Sequence, residues 1–522
     1  MATSTTAARG AASRPDARLP GTPARRLRRA AILVGAIAMV VSLLGSWIPS
    51  LWGDEAASVL SAQRPLPSLM AMLTHVDAVH GAYYLGLHVW IDLFGPSPFS
   101  VRFPSAVAAG LTAAAVTWLC GRFGSVRFAL VAGLLVAILP RMTYAGTEAR
   151  AYALDAAIAA ILCVIAAEVL RRDAPSRRWW AAYAAILAVG VYAFLYLALM
   201  ALVVGVALAV EPRGRRQLRR WAVASALAFT AAAPVIVLAL IERKQIAFLA
   251  GRDRLTADAV FVKMWFGALP FAIVAWALIV VAIVVYVRRG RRAPLPHLEP
   301  LALAWLIVPM GVLLAASTID AIYTPRYGTL AAPAAAVLMA LGIRAIARSR
   351  WIARRRGIAR DDRMRRSRRI AAVVAAVVVL AAAPVWAGQR TEWAKNESDW
   401  NDIAATIQPH ARPGDAIVFD ESVRPSRRPR LAMETNPAPF ASVADATLET
   451  PYAERPLWYS STYTVAEAAG LGRFTGVDRV WVVEYDTGGK VSTWGVADLE
   501  ARGFHAATEF RLHSSVVTLF TR

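Results

Sequence analysis

Long apolar runs recur from Ala30 to Trp386, and between them fall short bursts of arginine. In lipid, runs of this length satisfy their backbone hydrogen bonds only as helices. The pattern predicts spans at about 30–50, 102–121, 128–144, 151–170, 179–194, 196–210, 221–241, 268–287, 300–318, 329–347 and 370–388. The first, Ala30 to Pro49, reads as a signal anchor, because no small-x-small cleavage site precedes Trp52.

Arginine clusters lie at Arg25 to Arg29, at Arg122 and Arg127, and at Arg171 to Arg178, Arg213 to Arg220, Arg288 to Arg292 and Arg344 to Arg369. If all are cytoplasmic, each stretch between neighbouring clusters crosses an even number of times. Trp179 to Val210 would measure roughly 48 Å as one helix against a hydrocarbon core of about 30 Å, so it folds as two spans. Phe128 to Leu170 turns back at the polar stretch Arg141 to Arg150. By the same parity Gly81 to Gly95, which carries His88 and Asp92, is an interfacial helix on the outer leaflet. Eleven spans then place the N-terminus in the cytoplasm and the C-terminus outside.

Residues 1–29, rich in Ala, Pro, Arg and Thr without periodicity, read as a disordered cytoplasmic tail. Beyond Ala387 the pattern changes to mixed charge and turn signals such as Arg412-Pro413-Gly414-Asp415. Asp399 to Gln408 is helix-like, and Ala416 to Phe419, Arg479 to Glu484 and Ser515 to Phe520 are strand-like. The fold class is therefore a polytopic α-helical membrane domain over 30–388, with its first external loop at about 51–101. A small extracytoplasmic α/β domain follows over 389–522.

Composition agrees: 57% of residues are hydrophobic and the mean hydropathy is +0.47. The net charge of +23 is spread through the loops, so no nucleic-acid face is implied. Cys120 and Cys163, each inside an apolar run, offer neither a disulfide framework nor a metal site. Lysine occurs only at 244, 263, 395 and 490 against abundant arginine and alanine, the usage of a GC-rich bacterial genome, so the expected location is a bacterial plasma membrane.

This topology brings three polar motifs to the outer face. They are Asp54-Glu55 with His75, Asp77 and His80 further along the same loop, Glu148-Ala149-Arg150-Ala151-Tyr152, and Tyr323-Thr324-Pro325-Arg326-Tyr327. An Asp-Glu pair at a helix end is costly if it sinks into lipid. The chemistry such a pocket suits is glycosyl transfer from a polyprenyl phosphate. An acceptor hydroxyl needs a base as the bond to the anomeric carbon forms, and the departing phosphate gains charge that arginine and tyrosine stabilise. Asp54 fits the base and Arg326 the phosphate clamp. One carboxylate base attacking opposite the phosphate gives inversion.

These residues also resemble a family. Trp52-Gly53-Asp54-Glu55, the Asp77 to Trp90 stretch with Tyr83-Tyr84, Arg102-Phe103-Pro104-Ser105, Glu148 to Tyr152 and Pro325-Arg326-Tyr327 are together similar to bacterial members of the dolichyl-phosphate-mannose protein mannosyltransferase superfamily, over roughly residues 30 to 345. The resemblance looks closest to actinobacterial mannosyltransferase-type members. It implies the GT-C membrane fold, Asp54 as the catalytic aspartate with Glu55 as its acidic neighbour, and Arg326 with Tyr327 near the lipid phosphate. Arg150 and Tyr152 join that donor group, and His75, Asp77, His80 and Tyr83 the acceptor side. The chain departs from many relatives at Val79-His80-Gly81, where they carry a His-Pro-Pro or Lys-Pro-Pro sequence, which bears on the acceptor more than the reaction.

Blander readings stand beside these. Asp54-Glu55 also suits a helix N-terminus, Arg326-Tyr327 an interfacial anchor, and Arg150 a partner for Glu148 or Asp155. His75, Asp77 and His80 have ligand-like spacing but no identifiable fourth ligand, so ordinary hydrogen bonding is the expected reading with a divalent metal as the alternative, and no other cofactor is implied. Arg243, Lys244, Lys263 and Trp265 read either as a flap over the donor or as headgroup contacts. The expected partners are a polyprenyl-phosphate-linked sugar, most simply mannose, a hydroxyl acceptor on a protein, glycolipid or wall glycan, and the bilayer. Rival readings are transfer of another sugar such as a pentose, and a lipid-linked-sugar transporter or silent assembly partner. A transporter is expected to show internal repeats and mid-membrane polar residues, and neither is evident.

Overall fold

The computed structural model describes residues 22–243, 255–289, 297–320, 322–348, 360–486 and 488–522. Lys244, most of the N-terminal tail, Arg291, Arg292 and the centre of the basic run between Arg344 and Arg369 lie outside these residues. Where the tail is described it is helical: the first helix is Thr22–Leu43, starting before the apolar run and carrying the cluster Arg25 to Arg29 on its first turns. This corrects the boundary at residue 29. Arginine is a good helix former, so the helix continues through the charges.

Each apolar segment is helical, but several are broken. Pro98–Gly121, Tyr152–Leu170, Leu269–Arg289 and Leu298–Ala316 are long and apolar enough to cross a membrane alone. Leu218–Ala231 and Ala233–Ile241 add a fifth if that pair, bent by 60°, counts as one span. Val126–Ile138 ends where Pro140 opens the short helix Pro140–Ala145. Arg177–Ala193 and Leu199–Val210 are separated by an extended Phe194 and one 3-10 turn, Leu195–Ala198. These breaks are where the cavity described below forms. The backbone groups they release lie within protein rather than in lipid.

Small residues set the helix packing. A methyl group on Gly110 would lie 2.7 Å from the Gly35 carbonyl oxygen, so the first helix and Pro98–Gly121 cross in backbone contact. Other faces present Ile32, Leu33, Leu227, Leu240 and Ile273 outward, as a lipid solvent requires.

The C-terminal region holds a five-stranded sheet of β1 (Asp415–Phe419), β2 (Val443–Asp445), β5 (Arg479–Tyr485), β6 (His505–Arg511) and β7 (Ser515–Thr521), in the order β2-β1-β5-β7-β6. β1 lies parallel to β2 and β5, while β7 runs antiparallel to β5 and β6. A two-stranded sheet pairs β3 (Leu448–Thr450) with β4 (Ser461–Thr462). This domain is not a separate bead. Leu51, Val59, Leu60, Tyr84 and Ala149 from the membrane part share one apolar core with Trp400, Ile417, Phe419 and Trp481. The helix Gly53–Ala62, which carries Asp54, is thereby wedged between the two parts.

Candidate active site

The wedge fixes the geometry. A methyl group on Gly53 would fall 2.1 Å from the Ser426 carbonyl oxygen, so only glycine lets the C-terminal loop sit on the start of that helix. Asp54 and Glu55 follow in the first turn, where the helix dipole favours carboxylates. Successive helical residues point about 100° apart, and the two acids part company there.

Asp54 faces a cavity of about 1050 Å³. Its carboxylate forms an ion pair with Arg326 from the 3-10 segment Pro325–Leu330. Arg150 holds the same turn from behind: its guanidinium donates to the Asp54 backbone oxygen (3.3 Å), Ser58 Oγ (3.2 Å) and Tyr84 OH (3.4 Å). Its other terminal nitrogen lies 3.0 Å from His80 Nε2. Arginine can only donate, so His80 Nε2 accepts and the ring is neutral. Burial, reinforced by Arg150 and Arg326, holds His80 well below its ordinary value. Asp77, at a left-handed φ of 60°, accepts from Tyr84 OH at 3.0 Å, and burial raises its carboxyl.

The aromatic wall is continuous. Tyr327 meets Tyr152, Phe194 and Tyr196 with ring centroids 5.2–6.3 Å apart, and His80 stacks on Phe194. Of the ten expected site residues, Asp54, Arg326, Tyr327, Arg150, Tyr152, Asp77 and His80 line this cavity.

Three do not. Glu55 is fully buried, paired with Arg102 through contacts of 2.6 and 2.8 Å, and accepts from the Ala149 amide at 2.8 Å. Arg102 also ties down the carbonyls of Ser46, Pro49 and Ser50. Glu55 thus locks the first loop to the helix Pro98–Gly121. His75 is exposed at a helix end, its Nδ1 3.0 Å from the Ala71 carbonyl, away from the cavity. Tyr83 is buried off the cavity, and the neighbouring Tyr84 is the one that bonds Asp77 and Arg150. Adjacent tyrosines on a helix cannot be told apart by periodicity when both are buried. Among the described residues no group of three or more His, Cys, Asp or Glu side chains converges as metal ligands.

The cavity wall also holds residues beyond those ten. Arg141, Tyr144 and Glu148 line the cavity from the broken helix and its turn, and Arg243 and Lys263 line it from the neighbouring loops. Trp265, read with them as flap or headgroup contact, is buried in the core. Glu148 is buried, and burial raises its carboxyl. Lys395, just past the last membrane helix, is fully buried beside it, 3.7 Å above the Tyr144 ring. Burial pushes its ammonium down to about 8 while Glu148 opposes the shift. Arg424, Pro425, Ser426, Leu457, Trp458 and Tyr459 complete the wall from the C-terminal domain. Arg141 and Glu148 lie in the polar turn recognised from sequence, whereas the C-terminal residues carry no local signal at all.

Comparison with known proteins agrees with this architecture. The family model described as dolichyl-phosphate-mannose-protein mannosyltransferase matches residues 82–241, which contain Arg150 and Tyr152 but neither Asp54 nor Arg326. No curated protein matches the sequence. Among solved structures, ArnT from Cupriavidus metallidurans, in the apo state and bound to undecaprenyl phosphate, is 15% identical. The alignment covers 94% of this chain and 97% of that one, with a TM-score of 0.55. The arabinofuranosyltransferase AftD from Mycobacteria is 14% identical, with 95% of this chain and 40% of that one covered and a TM-score of 0.52. The chain is thus a polytopic α-helical membrane protein with the GT-C fold, its small C-terminal α/β domain closing over the cavity that holds Asp54 and Arg326.

Proposed function

We propose that the protein is an inverting glycosyltransferase that moves a sugar from a polyprenyl phosphate to a hydroxyl acceptor on the extracytoplasmic face. The observation that carries this reading is the state of Arg326. Its guanidinium sits in the cavity with Asp54 as its anionic partner, while its buried Nε finds no acceptor among the described residues. A buried donor without a partner costs about 1–3 kcal/mol, and an incoming phosphate oxygen removes that cost. The phosphate competes with Asp54 for the guanidinium, so donor binding frees the carboxylate as it fills the clamp.

The reaction then follows. The acceptor oxygen attacks the anomeric carbon, its proton passes to Asp54, and the bond to the phosphate oxygen breaks with its electron pair leaving on the phosphate. Arg326 stabilises the growing charge, and Arg150, braced by the neutral His80, keeps the Asp54 turn in place. Glu55 has no chemical part and serves as the anchor of that turn.

The undecaprenyl phosphate bound in the ArnT structure supports a lipid-phosphate donor. The matched family model supports mannose as the sugar. A pentose is the second reading, favoured by the fold shared with AftD. Purified wild type and Asp54→Asn, assayed with polyprenyl-phospho-mannose and polyprenyl-phospho-arabinofuranose, test the proposal. We expect turnover with at least one donor and a loss on the order of 10²-fold or more in the variant. Near wild-type turnover by Asp54→Asn removes Asp54 from the role of base. Sidedness is read from a cysteine at the exposed Ser422, which should react with an impermeant thiol reagent applied from outside.

A further inference from the structure

The cavity has two chemically different ends. Near Arg326 its wall passes into Phe194, Leu195, Ala239, Leu240 and Ile322, an apolar run whose Leu240 is 66% exposed, as suits a lipid chain. On the side of the C-terminal domain the wall is Arg424, Ser426, Trp458 and Tyr459.

That second wall is built, not incidental. Arg64, a fully buried arginine, donates to the carbonyls of Arg455 (2.8 Å) and Leu457, and Ser68 Oγ donates to the Ala453 carbonyl. Burying a guanidinium is costly, and burial lowers this one to about 10, so the fold commits a charge to fixing this loop. Ser460 is held at both ends, donating to Glu434 and accepting from the Tyr452 amide. Tyr459 lies within 5.3–5.4 Å of the Arg428 and Arg455 guanidiniums and meets Trp458 edge-on at 5.3 Å. Trp458 is left half-buried, held by its neighbours, on the cavity wall.

We propose that Trp458, propped by Tyr459, is the acceptor platform and that the acceptor is a glycan, one ring stacked on the indole with a hydroxyl directed to Asp54. This rests on the glycosyltransferase reading. The chemistry favours a sugar over a peptide. An extended peptide binds by pairing its main chain with free backbone groups, yet here the Leu457 and Tyr459 carbonyls are already taken by Arg64 and Arg455. Beside them the wall offers the partly buried Trp458 indole, packed on the apolar core, next to the polar Arg424 and Ser426, a combination that the apolar C–H face and hydroxyl rim of a sugar complement.

The test uses the full-length protein in nanodiscs with polyprenyl-phospho-mannose and polyprenyl-phospho-arabinofuranose as donors. The acceptors are short oligomannosides and oligoarabinosides on one side and a Ser/Thr-rich peptide of similar length on the other. Saturable transfer to an oligosaccharide is expected. Trp458→Ala should raise the acceptor KM about tenfold, with a much smaller change in turnover at saturating acceptor and in donor KM, and Trp458→Phe should restore most of the loss. Transfer to the peptide but not to any oligosaccharide overturns the glycan assignment and leaves the transferase reading standing. An unchanged acceptor KM in a folded Trp458→Ala overturns the platform. If wild type consumes no donor with any acceptor, the transferase reading falls and this inference with it.

Discussion

Asp54 and Glu55 are adjacent in sequence and each is paired with an arginine, yet the two ion pairs are opposite in kind. Glu55 and Arg102 are both 0% exposed, and the remaining hydrogen-bonding capacity of each is spent on backbone groups. Asp54 and Arg326 are each 20% exposed on a cavity wall, and Arg326 keeps a buried donor in reserve. A pair that is saturated and dry cannot exchange partners without leaving a naked charge. A pair that is half-wet and under-satisfied can, and exchange is what a binding site requires. The difference teaches that residue type does not separate an exchangeable ion pair from a locked one. The number of alternative partners within reach does.

The largest effect expected from breaking this contrast lies on the buried side. Arg102→Ala leaves Glu55 charged and unpaired, which costs about 3–5 kcal/mol and should show as a steep loss of folded protein and of apparent Tm. The double variant Glu55→Leu with Arg102→Met replaces the pair with apolar bulk and should recover much of that loss while keeping transfer activity. Folded double variant with no turnover would return Glu55 to the chemistry.

On the cavity side the prediction has the reverse form. Asp54→Asn should leave Tm nearly unchanged while turnover falls by about two orders of magnitude. On the proposed competition between carboxylate and phosphate for Arg326, the same variant should bind polyprenyl phosphate at least as tightly as wild type. Weaker binding, measured by calorimetry in nanodiscs, would mean that Asp54 orients Arg326 rather than competing for it.

Arg326→Lys sharpens the contrast further, with a smaller effect. Lysine keeps the charge but loses the planar fork that can grip a phosphate through two parallel donors. Losing one charge-assisted hydrogen bond, about 1.5–3 kcal/mol, corresponds to a fall of roughly 10- to 150-fold in kcat/KM, with Arg326→Ala falling further. Equal activity of the lysine and alanine variants would show that the fork is not used.

Much of the fold was legible because lipid imposes a simple code: every apolar run became a helix, and the strands over 415–419, 479–485 and 515–521 fell where β-branched residues cluster. The breaks were less so. Pro140 and Pro234 mark two of them, but a proline alone does not say whether a helix ends, as at Leu139, or bends, as by 60° before Ala233. Of the cavity wall, Asp54, Arg150 and Arg326 were legible because charged residues at membrane ends are expensive. That Glu55 lies off the cavity was not legible, because adjacency hides the angle between neighbours on a helix. Trp458 and Lys395 were invisible, since contacts across hundreds of residues leave no periodic trace.

The smallest effect concerns His80, which separates the two pairs by supporting only one of them. Its imidazole accepts from Arg150 and is held neutral by burial, with Arg150 and Arg326 adding to the shift. The unfolded chain protonates this histidine near 6.5 while the folded one does not. Between that value and the lower folded one the unfolded state binds more protons, so its stability contribution is complete above about 6.5 and is lost as pH falls through the window below it. His80→Gln supplies an amide oxygen to Arg150 but no titrating group. It should therefore retain most activity at pH 7.5 and flatten the acid side of the Tm profile between about pH 5 and 6.5. If His80→Gln instead shifts the pH dependence of turnover near neutrality, the histidine carries a proton in the reaction and the neutral brace assigned to it is wrong.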